Sequence, residues 1–246
     1  MKYREIEPNG FLNNFVKCFW FYETTTEIQH TILPDGYFDF IAEFENDNLT
    51  TVKLTGIWTK PKEIQISKNT KLLAIRFKLL AIEYIFKKEI KSILDATVNL
   101  SFSFWNIDKY KSDEFERFIT EISNNLDTSI KHLKQIDNRK LKLFDFVYEQ
   151  KIKTVAEISK KVFWSSRQIN RYFQTQFGIR LKEFLNIVRC NATYEEISNG
   201  NLNPNAEYFD QAHFIKEIKK YTGVTPKELS QNKNDRFLQL SKMDEA

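Results

Sequence analysis

The sequence predicts an α+β protein of two domains: an N-terminal small β-barrel or sandwich with flanking helices, and a C-terminal all-α region built as a tandem helix-turn-helix. Three observations carry this. The first is size, because 246 residues with 41% hydrophobic and 28% charged content supply more than one ordinary core. The second is a change of period: short alternating segments separated by turns fill the first eighty residues, and helical spacing takes over after them. The third is charge. Residues 139–240 hold 18 Lys/Arg against 11 Asp/Glu, whereas residues 1–138 hold 18 against 20. That asymmetry fits a nucleic-acid module joined to a neutral one, and it also fits an ordinary solvated surface.

Composition removes several function classes. Two cysteines, Cys18 and Cys190, can form neither a disulfide framework nor a four-thiolate zinc site. The three histidines, His30, His132 and His213, fall at no metal-ligand spacing. The N-terminus lacks a signal-peptide core, and no apolar run approaches the roughly 18 residues of a membrane span. These features predict a cytoplasmic chain with reduced cysteines, no membrane partner, no metal and no cofactor. With no nucleophile–base pair or P-loop in view, the sequence predicts a protein that is not an enzyme.

The N-terminal elements follow from spacing. Leu12, Phe15, Val16 and Phe19 lie at i, i+3, i+4 and i+7, which predicts a short opening helix. Phe19-Trp20-Phe21-Tyr22 opens the strands, and Pro34-Asp35-Gly36 is a turn. Phe38, Phe40, Ala42 and Phe44 alternate with more polar residues, and Val52–Leu54, Glu63–Ile66 and Leu72–Phe77 are further strands. From Ile82 the spacing of Ile85, Phe86, Glu89 and Ile93 predicts a helix or two. The dense aromatics read first as core. A pocket lined by Trp20, Phe40 or Trp58 is the second reading, and the ligand residues stay open. A metal-dependent cupin enzyme is disfavoured, since His30 is the only histidine before residue 132.

Residues 1–100 thus form a β-rich sensor or dimerisation domain, 101–138 a helical linker, and 139–236 the helical domain. In the linker, Phe115, Phe118, Ile119, Ile122, Leu126, Ile130 and Leu133 keep one helical face, with Ser112 as the expected N-cap. Two partners suit that face: the chain's own sheet, or the same helix in a homodimer.

The helical domain carries the chemistry. Leu141, Phe144 and Tyr148 mark its first helix. Thr154-Val155-Ala156-Glu157 and Ser165-Ser166-Arg167-Gln168 are capping boxes that start the second and third, and Gly178 ends the third. Two capped helices joined by a tight turn form a helix-turn-helix. On its second helix Ile169 and Phe173 point inward, while Ser166, Arg167, Asn170, Arg171 and Gln174 share the other side, with no acid among them. Arginine bonds guanine, and Asn or Gln bonds adenine, through paired contacts to base edges, so this face predicts contact with duplex DNA. A repeat at 45 residues supports it: Gly178-Ile179-Arg180-Leu181-Lys182-Glu183-Phe184 matches Gly223-Val224-Thr225-Pro226-Lys227-Glu228-Leu229.

These residues resemble the AraC/XylS family of transcription regulators. The resemblance rests on Val155-Ala156-Glu157-Ile158, Ser165 through Phe173 with Arg171, Gly178, Phe184 with Arg189, and Phe209-Asp210-Gln211-Ala212-His213-Phe214 leading to Gly223-Val224-Thr225-Pro226. It covers about residues 139–232. The first hundred residues also resemble a small sensor domain found with some members, through Phe19-Trp20, Leu33-Pro34-Asp35-Gly36, Gly56 and Arg76-Phe77. The family implies a double-stranded DNA operator, RNA polymerase and a small-molecule effector as partners.

One departure qualifies the second unit. The 45-residue shift places the first scaffold helix on 199–207, a stretch of Asn, Gly and Pro that is poor helix material. The shift also sets Gln211, Ala212, Ile215, Lys216 and Lys219 against Ser166, Arg167, Asn170, Arg171 and Gln174. Of these, Gln211, Lys216 and Lys219 remain as DNA contacts, in a face that holds phosphates rather than reading bases. His213 reads as a hydrogen-bonding residue at the helix start. The expected function is sequence-specific, effector-responsive transcription regulation; the alternative is a protein-interaction module that has lost specific DNA binding through the eroded second unit.

Overall fold

Alternating apolar residues zip the N-terminal half into antiparallel ladders. The computed structural model describes residues 1–131, 136–149, 154–203, 208, 210–232, 236–240 and 244–245. Strands β1 (Lys2–Ile6), β2 (Val16–Thr24), β4 (Phe38–Glu45), β5 (Asn48–Thr55), β7 (Thr70–Phe77), β8 (Thr97–Asn99) and β9 (Asp244–Glu245) form a seven-stranded sheet ordered β8-β5-β4-β7-β2-β1-β9. Its ladders are antiparallel except for the short β1–β9 pairing. A separate two-stranded ribbon, β3 (Ile28–Ile32) with β6 (Lys62–Ile66), covers part of one face, where Ile66 packs with Cys18, Trp20, Tyr22, Ile41 and Leu72. The described strands do not close: β8 and β9 are free edges, so the sheet is open, and of the expected barrel or sandwich the closed barrel is not seen.

The opening helix is the other correction. Leu12 sits in a 3-10 turn over Gly10–Asn14, and Val16 and Phe19 belong to β2. The helical spacing arose because Leu12 and Phe15 come from the turn and its end, while Val16 and Phe19 come from a strand buried on both faces, as its buried run Val16, Cys18, Phe19 and Trp20 shows. Strand β1 precedes the turn and pairs Ile6 with Phe19. The helix expected from Ile82 is mostly not formed: α1 (Leu80–Tyr84) ends before Ile85, Phe86 and Glu89, and only a 3-10 turn at Lys91–Ile93 reaches Ile93.

The linker face packs on the chain's own sheet. Helix α2 (Phe115–Lys131) buries Phe115, Phe118, Ile122, Leu126 and Ile130, with Phe118 edge-on to Phe19 at 6.2 Å and Phe115 beside Phe21 at 5.8 Å. Leu133 lies outside the described residues. Ser112 is buried and hydrogen-bonds Asp47, so it ties the helix entry to the β4–β5 turn.

Among the described residues after α2 the helices are α3 (Asn138–Tyr148), α4 (Val155–Val162), α5 (Ser166–Phe177), α6 (Leu181–Ala192), α7 (Tyr194–Ser198), α8 (Gln211–Thr222) and α9 (Pro226–Gln231). Among the described residues no helix is long and apolar enough to cross a membrane. The apolar core runs without a break from the sheet into these helices. Phe40 stacks on Phe104 at 5.8 Å and lies 5.0 Å from Trp105, Trp20 gives its indole N–H to Asp39 at 2.9 Å, and Trp58 is 8% exposed. Trp20, Phe40 and Trp58 are thus all buried. Both cysteines are free and buried, and burial pushes each thiol up to about 12, so both are small inert core residues.

The loop at Pro34–Tyr37 is one of the places where the two halves meet. Tyr148 at the end of α3 donates its hydroxyl to the Gly36 carbonyl at 3.0 Å and accepts the Leu79 amide at 2.9 Å. Tyr194 donates to the Pro34 carbonyl at 3.0 Å, and the ring of Tyr37 stacks on Tyr148 at 5.2 Å. On its other side the same loop buries Asp35, 3.8 Å from Arg76, which also bonds Asp39 at 3.3 Å. Burial pushes the Asp35 carboxyl up to about 6, with Arg76 opposing the shift.

Candidate nucleic-acid interface

The first unit begins at Thr154, whose hydroxyl accepts the Glu157 amide at 3.2 Å. Glu157 takes the Thr154 hydroxyl at 2.8 Å, so this box closes through side chains. The second box is complete: Ser165 Oγ accepts the Gln168 amide at 3.3 Å, and Gln168 Oε1 accepts the Ser165 amide at 3.0 Å. It starts α5 sharply, and Gly178 at φ +76° ends it. Ile169, Phe173 and Phe177 are fully buried, which fixes the rotation of the helix about its axis.

That rotation turns the polar face outward. Arg167, Asn170, Arg171 and Gln174 stand at i, i+3, i+4 and i+7, with Ser166 at the first turn. Arg167, Arg171 and Gln174 are exposed, and Ser166 and Asn170 are half-buried. Among the described residues neither arginine is in an ion pair. The amides are engaged: Asn170 donates to the Ser166 carbonyl at 2.9 Å, and Gln174 donates to the Gly178 carbonyl at 2.9 Å. Gln174 therefore closes its own helix end, while the Asn170 amide oxygen accepts no hydrogen bond among the described residues.

The surroundings are cationic. From residue 158 to 182 the chain has Lys160, Lys161, Arg167, Arg171, Arg180 and Lys182 and no acid. Lys160 and Lys161, both exposed in the last turn of α4, extend the positive surface beyond the residues singled out by helical phase. Their signal in the sequence is the acid-free run itself.

The opposite side of α5 is braced by the N-terminal half. Tyr172 donates to Glu83 at 2.8 Å, Glu83 also pairs with Lys140, and the Ile90 amide donates to the Gln176 carbonyl at 2.9 Å. By helical phase Tyr172 and Gln176 lie across the axis from Arg167, Asn170, Arg171 and Gln174, so the brace leaves the outward face uncovered.

The second unit is built differently. Asp210 caps α8, its carboxylate accepting the His213 amide at 2.7 Å, and Gly223 at φ +78° ends it. His213 takes part in this cap through its backbone, and its ring lies 5.7 Å from Tyr208. Thr225 and Glu228 form a complete capping box for α9, with Pro226 in the first turn. Phe214, Ile218, Tyr221 and Leu229 are buried, and α8 is held between α6 and α9. Residues 199–203 are not helical, as their composition predicts; 204–207 and Phe209 lie outside the described residues. Gln211 is exposed, but it donates to the Leu202 carbonyl at 2.9 Å and so closes this non-helical segment. Lys216 and Lys219 are exposed on one face with Ala212 and Ile215.

Residues 4–99 match the model of a domain of unknown function, DUF6597. A comparison with curated proteins gives no match. Crystal structures of ToxT from Vibrio cholerae are similar to the chain at low identity. ToxT bound to (E)-4-(8-methylnaphthalen-1-yl)but-3-enoic acid has 9% identity and a TM-score of 0.46, over 98% of this chain and 100% of that one. An apo ToxT variant from strain SCE256 has 12% identity and a TM-score of 0.44, over 92% and 99%. ToxT from strain O395 has 13% identity and a TM-score of 0.43, over 86% and 95%.

Proposed function

We propose that the chain is a sequence-specific, duplex-DNA-binding transcription regulator. In this reading residues 1–100 form the regulatory domain, 101–138 the helical linker and 139–236 the DNA-binding domain. The observation that carries the reading is α5: a doubly capped helix whose apolar side is fully buried and whose outward side offers Arg167, Asn170 and Arg171 inside an acid-free, cationic run. Arg171 and Arg167 supply the fork that bonds guanine O6 and N7, and Asn170 supplies an amide for adenine. Lys216 and Lys219 supply point charges for phosphates, which set register without reading sequence. An effector or a second copy acting on the first domain would reach α5 through Glu83, Ile90 and the loop at Pro34–Gly36.

Selection of bound sequences from random duplexes tests the reading. The full chain is expected to enrich a defined site, and Arg171→Ala to lose roughly 1–3 kcal/mol on that site while relaxing preference at one base pair. Equal binding of wild type and variant would remove Arg171 from the interface. Replacing Lys216 and Lys219 by Ala should weaken binding to all duplexes alike and flatten the dependence of log K on log salt by roughly one unit for each phosphate no longer neutralised. A changed sequence preference with an unchanged slope would assign these lysines to base reading instead.

A second reading, a protein-interaction module, draws on the non-helical 199–203 segment and on the exposed Ala212 and Ile215 of α8. Enrichment of no duplex by the full chain, at low salt, would favour it.

A further inference from the structure

Phe163 stands in the turn between α4 and α5 with φ +53°, the left-handed region, and is 87% exposed. Both features oppose its presence in the free protein. A side chain at positive φ brings Cβ against its own carbonyl, a strain that glycine avoids. The exposed ring returns nothing by burial. The neighbouring Trp164 does turn inward, 5.3 Å from the Tyr172 ring and 5.2 Å from the Arg139 guanidinium, so the turn itself is anchored without Phe163.

We propose that Phe163 is a DNA-contacting residue, packing its ring on a sugar or a thymine methyl at the edge of the groove that α5 enters. The inference rests on the regulator reading above and adds a residue to that interface. Phe163 lies two positions before the N-cap Ser165, at the end of a recognition helix that approaches base edges. Its neighbours in sequence are Lys160 and Lys161 on one side and Ser165, Ser166 and Arg167 on the other. One apolar ring set among cations suits a groove, where phosphates pair with the charges and a methyl or deoxyribose meets the ring. A protein partner would call for a wider apolar patch, and the other strongly exposed apolar residues among the described ones, Phe11, Val98, Phe102 and Ile215, belong to other elements.

The test compares wild type, Phe163→Gly, Phe163→Asn and Arg171→Ala, all as the full chain, against the duplex that wild type selects. Both Phe163 variants suit a positive φ, so their thermal midpoints without DNA should equal or exceed that of wild type by a few degrees. Their affinity should fall roughly tenfold, about what removing a buried aromatic side chain costs. Their salt slope should match wild type, because every phosphate keeps its cation. Variants that bind within twofold of wild type, while Arg171→Ala loses affinity as expected, overturn the assignment of Phe163 and leave the regulator reading standing. Variants that keep DNA affinity but lose capture of RNA polymerase assign the ring to a protein partner and overturn it too. If wild type binds no duplex, the regulator reading falls and this inference falls with it.

Discussion

Gly56→Ala is expected to cost at least about 4 kcal/mol, or to prevent folding. A Cβ at this position would lie 1.7 Å from the Ile93 carbonyl oxygen and 2.6 Å from its carbon, so backbone and not a rotamer would have to move. The segment cannot yield easily. The Gly56 amide bonds the Ala96 carbonyl at 2.8 Å, the Asp95 amide bonds the Ile57 carbonyl at 3.0 Å, and Asp95 holds the Thr59 amide and hydroxyl, each at 2.6 Å. This seam also positions Ile90, Lys91 and Leu94 beneath the C-terminal end of α5. Urea unfolding followed by far-ultraviolet circular dichroism measures the loss. A midpoint equal to wild type would show that the two backbones do not approach as described.

Gly36→Ala is expected to destabilise by about 2–4 kcal/mol, combining left-handed strain with overpacking. Gly36 has φ +84°, and its added Cβ would sit 2.9 Å from Val188 Cγ2 and 3.4 Å from the Phe184 ring. Both partners are buried in α6, so neither can swing into solvent. The substitution pushes apart the surfaces that Tyr148 and Tyr194 stitch together through the carbonyls of Gly36 and Pro34. Equilibrium unfolding gives the loss in stability, and limited proteolysis between the two halves should quicken with it. Unchanged stability would mean that α6 does not seat on this loop.

Much of the helical half was legible because its signals are local. Ser165 with Gln168, Thr225 with Glu228, and the two glycines at 178 and 223 fix helix ends within a few residues of chain, and the apolar phase of Ile169 and Phe173 fixes which side turns outward. The alternating run from Phe38 to Phe44 was legible for the same reason. The opening turn was not, since a strand buried on both faces loses the period of two, and Leu12 to Phe19 then mimic a helix. That the sheet stays open was equally hidden, because the β3–β6 ribbon and the β8 edge depend on pairings distant in sequence. On α5, helical phase set Arg167 and Arg171 apart from the buried side, with Asn170 half-buried beside them. It could not show that the Gln174 and Gln211 amides are spent on the Gly178 and Leu202 carbonyls, or that Phe163 projects into solvent.

Whether α5 reads duplex DNA through its outward face is tested most directly by equilibrium binding of the full chain across a salt series, to its selected duplex and to a random-sequence duplex. For a base-reading α5, log K should fall linearly with log salt for both, and the selected duplex should bind at least roughly a thousandfold more tightly at physiological salt. Equal affinity for the two duplexes, or binding indifferent to salt, would contradict it.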